Sequence, residues 1–265
     1  MPKCCFMSCP RPQDALSKYC DTHSTALIEY VATHKSWLPT TVEWTPCPTP
    51  DTKIELQLLK DWHTHSPKDV WIVDFEFVTV GGTASPIPVQ LAIRQIDGVL
   101  LLETNVDYCL SFDEFSENIG PLRTERYLVP QILQRCYGSG PRTNGLAPTE
   151  IRARIYDLGY DPGKTKILSW FSVQDMQCFQ RILLQGNDVI VPKEGHQTCK
   201  NFQEVDLGML CKRLLPHSWP SLKLVTVHGS IMAKQGQRVD SDLYHNASGD
   251  TAAVVDIVKE LLSLV

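Results

Sequence analysis

Residues 70–80, V-W-I-V-D-F-E-F-V-T-V, constrain this chain more than any other segment. β-branched and aromatic side chains dominate the run, which marks it as a strand, and Gly81 and Gly82 end it. Alternate side chains of a strand share a face. Asp74 and Glu76 therefore point one way, and Trp71, Val73, Phe75 and Phe77 the other. Two carboxylates on an otherwise apolar strand are costly to bury unless something positive neutralises them. A hard divalent cation such as Mg²⁺, which prefers carboxylate oxygens, does so. A bare D-x-E is more often an edge strand with a solvated polar face, so the pair acquires meaning only from partners elsewhere.

The pattern around this strand is α/β. Residues 88–96 and 98–104 read as two further strands joined at Asp97-Gly98, and 165–170 as a short buried strand. Helices are expected near 125–136 and over 148–159, with Ile151, Ile155 and Leu158 sharing a face. Another is expected over 173–185, with Met176, Phe179, Ile182 and Leu183 inward. Segments 205–214 and 220–228 also suit helices, and 248–263 closes the chain with Ala253, Val254, Ile257, Val258 and Leu261 inward. Strands followed by alternating helices predict a mixed sheet flanked by helices. Upstream, a short helix fits 24–35, Pro39, Pro46, Pro48 and Pro50 mark an extended linker, and a helix fits 53–63 through Ile54, Leu58, Leu59 and Trp62. The expected division is a module over 1–25, a helical and Pro-rich linker over 26–68, and one large domain over 69–265.

The chain has 265 residues, 43% hydrophobic and 21% charged, which suits a packed core and excludes wholesale disorder. A net charge of −5 argues against a generally basic nucleic-acid coat. Locally the balance reverses. Between 121 and 166, Arg123, Arg126, Arg135, Arg142, Arg152, Arg154, Lys164 and Lys166 outnumber Glu125, Glu150, Asp157 and Asp161. Such a stretch suits phosphate contacts, or equally a solvated helical face. Every apolar run is broken by charge and no secretory leader pattern opens the chain, so an intracellular, soluble protein without a membrane anchor is expected, in nucleus or cytoplasm alike.

Four of the ten cysteines, Cys4, Cys5, Cys9 and Cys20, lie within the first twenty residues. In a reducing compartment clustered thiols point to metal rather than disulfides. Cys4, Cys9, Cys20 and His23 supply four soft ligands in two half-sites, the set a structural Zn²⁺ needs, with Cys5 able to replace Cys4. A Cys-rich tail without metal is the competing reading. His196 and Cys199 have no partner pair and are read as chance.

Two further acidic positions matter. Asp175 falls in the first turns of the helix after the short strand, where an acid also suits the helix dipole. In Y-H-N-A-S-G-D, Ser248 is read as the N-cap, Asp250 enters the first turn of the last helix, and His245 precedes it on a loop. A histidine beside a carboxylate can act as a general base near neutral pH. The order D-x-E on the first strand, aspartate on a middle helix, and H-x-x-x-x-D opening the last helix resembles the DEDDh 3′–5′ exonuclease superfamily, whose fold is ribonuclease H-like. The resemblance spans about 70–265 and includes V-D-L-G-M-L at 205–210 and S-L-K-L at 221–224. Asn246 stands four before Asp250, where a tyrosine subclass carries tyrosine. The middle motif departs from the common H-N-x-x-F-D, reading F-S-V-Q-D.

The resemblance implies a metal-dependent exonuclease that releases nucleoside 5′-monophosphates from the 3′ end of single-stranded or 3′-ended RNA or DNA. It implies two Mg²⁺ or Mn²⁺ ions. Asp74, Glu76 and Asp250 would hold the one that activates water, Asp74 would share the second, and Asp175 would complete the cluster. His245 would accept the proton of the attacking water. Phe75 and Phe77 flank Glu76 where relatives hold the terminal nucleotide, partly through backbone, although their rings are expected in the core. Two alternatives stand beside it: an inactive, nuclease-like module that binds nucleic acid or protein, and a transposase-like endonuclease. Retention of all four acids with His245 disfavours the first, and the histidine disfavours the second.

Overall fold

The computed structural model describes residues 44, 49–79, 86–110, 114, 145–171, 173–185, 203–215, 222–237, 239, 243–244 and 246–265. The expected zinc ligands, the helices at 24–35 and near 125–136, Gly81 and Gly82, the four arginines between 123 and 142, the His196/Cys199 pair and His245 lie outside them.

The described residues form a five-stranded mixed sheet: β1 (Val70–Thr79), β2 (Pro86–Gln95), β3 (Leu100–Asn105), β4 (Lys166–Ser169) and β5 (Gln203–Asp206). The spatial order is β3-β2-β1-β4-β5. β1, β2 and β3 form an antiparallel meander, whereas β4 and β5 run parallel to β1. Helices cover both faces, so the mixed sheet flanked by helices is present as expected. The β2–β3 turn falls at Asp97-Gly98: Gly98 has φ 100°, a left-handed conformation that costs glycine little, and its N–H donates to Gln95 O at 2.9 Å.

The described residues form six α-helices: α1 (Pro50–His65), α2 (Pro148–Asp157), α3 (Val173–Gln185), α4 (Leu207–Leu214), α5 (Leu224–Lys234) and α6 (Ala247–Leu262). Two cores flank the sheet. On one face Trp71, Val73 and Phe75 pack with α2 and α3 through Ile151, Ile155, Phe179 and Ile182. On the other, Val70 and Ile72 pack with α1, α4, α5 and α6. The alternation read from β1 therefore holds, and Asp74 and Glu76 share the side of Ile72.

Three local expectations shift. In α1 the buried face is Leu56, Leu59 and Trp62, while Ile54 is 66% exposed, because the partners are α4 and α6 rather than the sheet alone. That helix, within the expected linker, belongs to the same core as α6. Leu158 follows the end of α2 and is exposed. Residues 205–206 complete β5 before α4 begins, and Asp206 caps that helix by accepting from Met209 N at 3.0 Å.

Candidate metal centre

The last β1–β4 register partner is Ile72 opposite Leu168, and β4 ends at Ser169. β1 runs on beyond it. There the Phe75 N–H donates to Asp175 Oδ1 at 3.0 Å, so a carboxylate takes a place a neighbouring strand would fill. Asp175 sits in the first turn of α3 and is buried. Across β1, Asp250 enters from the first turn of α6. Asp74, Glu76 and Asp250 each offer an oxygen within 4.8 Å of the others.

The first turn of α6 is fastened from several sides. Asn246, not Ser248, is its N-cap, accepting from Ser248 N at 3.0 Å. Three candidate caps stand within five residues here, and Asn246 wins because its extended backbone lies just outside the helix. Gln90 lies opposite Glu76 in the β1–β2 register, and its Oε1 accepts from Ala247 N at 3.1 Å. The Arg94 guanidinium donates to Ser248 O and Oγ at 3.4 and 3.3 Å and to Thr251 Oγ1 at 3.4 Å. A β-carbon on Gly249 would stand 1.8 Å from Leu243 O, so only glycine permits this approach beside Asp250.

The acids crowd one another. Burial holds the Asp74 carboxyl well above the usual carboxylate range, and the negative charges of Asp175, Asp250 and Glu76 push the same way. Burial pushes Asp175 up to about 8; the Phe75 N–H opposes this, and Glu76, Asp250 and Glu204 add to it. Such a set fits a hard divalent cation: the donors are all oxygens, they converge, and burial and like charge push the carboxyls of Asp74 and Asp175 up.

The structure thus brings together Asp74, Glu76 and Asp250, with Asp175 beside them. The Phe75 ring is core, 6.5 Å from that of Phe179, and this residue meets the site through its N–H. Phe77 is partly buried against the same core. Of the basic stretch, Arg152, Arg154 and Lys164 are exposed, and Lys166 stands 5.7 Å over the Trp62 ring. Sequence reasoning missed Gln90, Arg94, Gly249 and Glu204. Glu204 reaches Ser169 Oγ at 3.3 Å through β4–β5 pairing, a contact no local pattern announces.

No family model matches the chain, and no curated protein does. Among solved structures it is similar to a chain in the structure of the yeast NOT1 MIF4G domain co-crystallised with CAF1. That match has 12% identity and a TM-score of 0.45, covering 81% of this chain and 90% of that one. It is also similar to the RNase domain of the yeast Pop2 protein, at 13% identity and a TM-score of 0.45, covering 82% and 84%.

Proposed function

We propose that this chain is a metal-dependent 3′–5′ exonuclease acting on RNA or DNA. The observation that carries the reading is the convergence of Asp74, Glu76 and Asp250 within 4.8 Å, with the buried Asp175 alongside. Asp74, Glu76 and Asp250 would hold Mg²⁺ or Mn²⁺, and Asp175 would complete the set. The ions, when bound, supply Lewis-acid stabilisation of charge on the attacking and leaving oxygens. The protein's part is positional. β1 presents Asp74 and Glu76 on one face, and the fastened first turn of α6 aims Asp250 at them. Asp175 holds the Phe75 N–H and so keeps the free edge of β1 in place. His245 would take the proton of the attacking water, and the backbone at Phe77 would meet the terminal nucleotide. At the other end of the chain, Cys4, Cys9, Cys20 and His23 would hold one structural Zn²⁺, and metal analysis should find about one zinc per chain. No described helix is long and apolar enough to cross a membrane.

The test is digestion of 5′-labelled RNA and DNA oligonucleotides. With Mg²⁺ or Mn²⁺ the protein should shorten them stepwise from the 3′ end and release 5′-monophosphates. EDTA or a blocked 3′ end should stop it. The rate should rise with pH through the histidine range as the base loses its proton. Binding without cleavage under every divalent metal would overturn the reading in favour of an inactive module.

A further inference from the structure

Phe171 adopts φ 52°, a conformation that a bulky side chain reaches only under strain. Its N–H donates to Asp206 Oδ1 at 3.1 Å, the same oxygen that caps α4 by accepting from Met209 N at 3.0 Å. One carboxylate therefore pins Phe171 and Met209 together. A β-carbon on Gly208 would lie 2.6 to 2.9 Å from Cδ2, Cε2 and Cγ of the ring. Three adjacent ring atoms at nearly one distance place Gly208 under a face of the ring, not at its edge. Trp170 meets the ring edge-to-face, with centroids 5.8 Å apart at 85°, and its own Nε1–H is tied to Leu222 O. The ring is thus seated and held, yet Phe171 remains 36% exposed and Met209 38%.

The place of this platform matters as much as its build. Phe171 follows the end of β4, where β1 runs on past its last pairing with β4, and precedes Asp175 by four residues, a span of at most about 14 Å. It rests on α4, which packs on the same face of the sheet as α6, the face toward which Asp74 and Glu76 point. Folding alone would be served better here by glycine or asparagine, which suit this backbone without strain. An aromatic ring held there against its backbone preference, part-exposed and four residues from Asp175, offers a flat apolar surface.

We propose that Phe171, with Met209 at its side, is a stacking platform for an unpaired base of the nucleic acid whose backbone enters the carboxylate cluster. This rests on the nuclease reading and extends it to how the strand is held: a base inside a duplex has both faces covered by its neighbours, so the base that lies on the ring is one with a face exposed, as in a single strand or at a frayed end. Stacking of this kind is indifferent to sequence, since every base has a π-face.

The test uses three variants of the full chain. Phe171→Asn suits the left-handed backbone, so it should melt no lower than wild type. Phe171→Trp keeps an aromatic face, and Phe171→Ala removes it. Affinity for a single-stranded oligonucleotide, measured in EDTA so that nothing is cut, should fall about 5- to 150-fold in the Asn and Ala variants and be kept in Trp. A 2-aminopurine at the 3′ end should be quenched on binding wild type and Trp, and not on binding Asn. If wild type cuts oligonucleotides and Phe171→Asn binds, quenches and cuts as wild type does, the platform is wrong and the nuclease reading survives. If wild type neither binds nor cuts any oligonucleotide, both fall.

Discussion

The half-buried acids of this molecule behave in two opposite ways. Asp256, midway along α6, accepts from His228 Nε2 at 3.3 Å and pairs with Lys259 Nζ at 3.2 Å. The His228 hydrogen bond, with help from Lys259, holds its carboxyl below the usual range. His228 is itself buried, and its Nδ1 meets the Tyr244 hydroxyl at 2.8 Å. Six residues earlier on the same helix, Asp250 faces other carboxylates, and burial with like charge drives its neighbours Asp74 and Asp175 up. An acid kept for the fold is given a cation or a donor. Acids massed where burial and like charge oppose their ionisation are ones that a bound cation would relieve.

The sharpest way to break the contrast is Asp74→Asn. It keeps the shape of the side chain and removes the charge most crowded by the others, so oligonucleotide cleavage should vanish while the melting temperature holds or rises. Undiminished cleavage would assign the activity elsewhere. Gly249→Ala comes next. A methyl group cannot fit against Leu243 O, so the first turn of α6 must shift and carry Asp250 with it. A displacement of about 1 Å can cost on the order of 10²-fold in rate. The variant should bind metal more weakly by calorimetry while its circular dichroism remains that of wild type.

A third expectation concerns pH. Asp175 sits at about 8 in the fold, against about 4 in an unfolded chain. The metal-free fold therefore holds a proton that the unfolded chain has released. That stability is complete below about pH 4 and is lost as pH rises through about 8. Melting temperature without metal should fall across this window. Mg²⁺ or Mn²⁺ should raise it, more at pH 8 than at pH 5, and Asp175→Asn should flatten the slope. A metal-free melting temperature that climbs from pH 5 to 8 in wild type and not in the variant would contradict the assignment. The smallest effect belongs to Asp256→Asn. Its lowered carboxyl contributes above the unfolded value and is lost only as pH falls below about 4, so the variant should lose about 1 kcal/mol or less at neutral pH, read by denaturant unfolding. Cleavage should be unchanged.

Legibility followed the range of the forces involved. β1 could be read because the side chains of a strand alternate, which put Asp74 and Glu76 on one face and Phe75 in the core. α3 and α6 could be read because Phe179, Ile182, Ile257 and Leu261 recur at helical spacing. β5 escaped: it has four residues at the edge of the sheet, and Glu204 within it is exposed. The buried face of α1 was displaced because Leu56 is chosen by α4 and α6, partners far along the chain. Asp175 was visible as helix-terminal charge, but its bond to the Phe75 N–H follows from the early end of β4, which no residue near Asp175 reports.

Trp44 donates from Nε1 to Glu260 Oε1 at 3.3 Å, and α1 is sunk in the core directly after it. Among the described residues, the contacts with α6 thus begin at Trp44, ahead of the first strand. Glu260 stands ten residues along α6 from Asp250, about 15 Å at helical rise. α6 therefore carries the Trp44 contact toward one end and Asp250 at the other, so one helix joins the two.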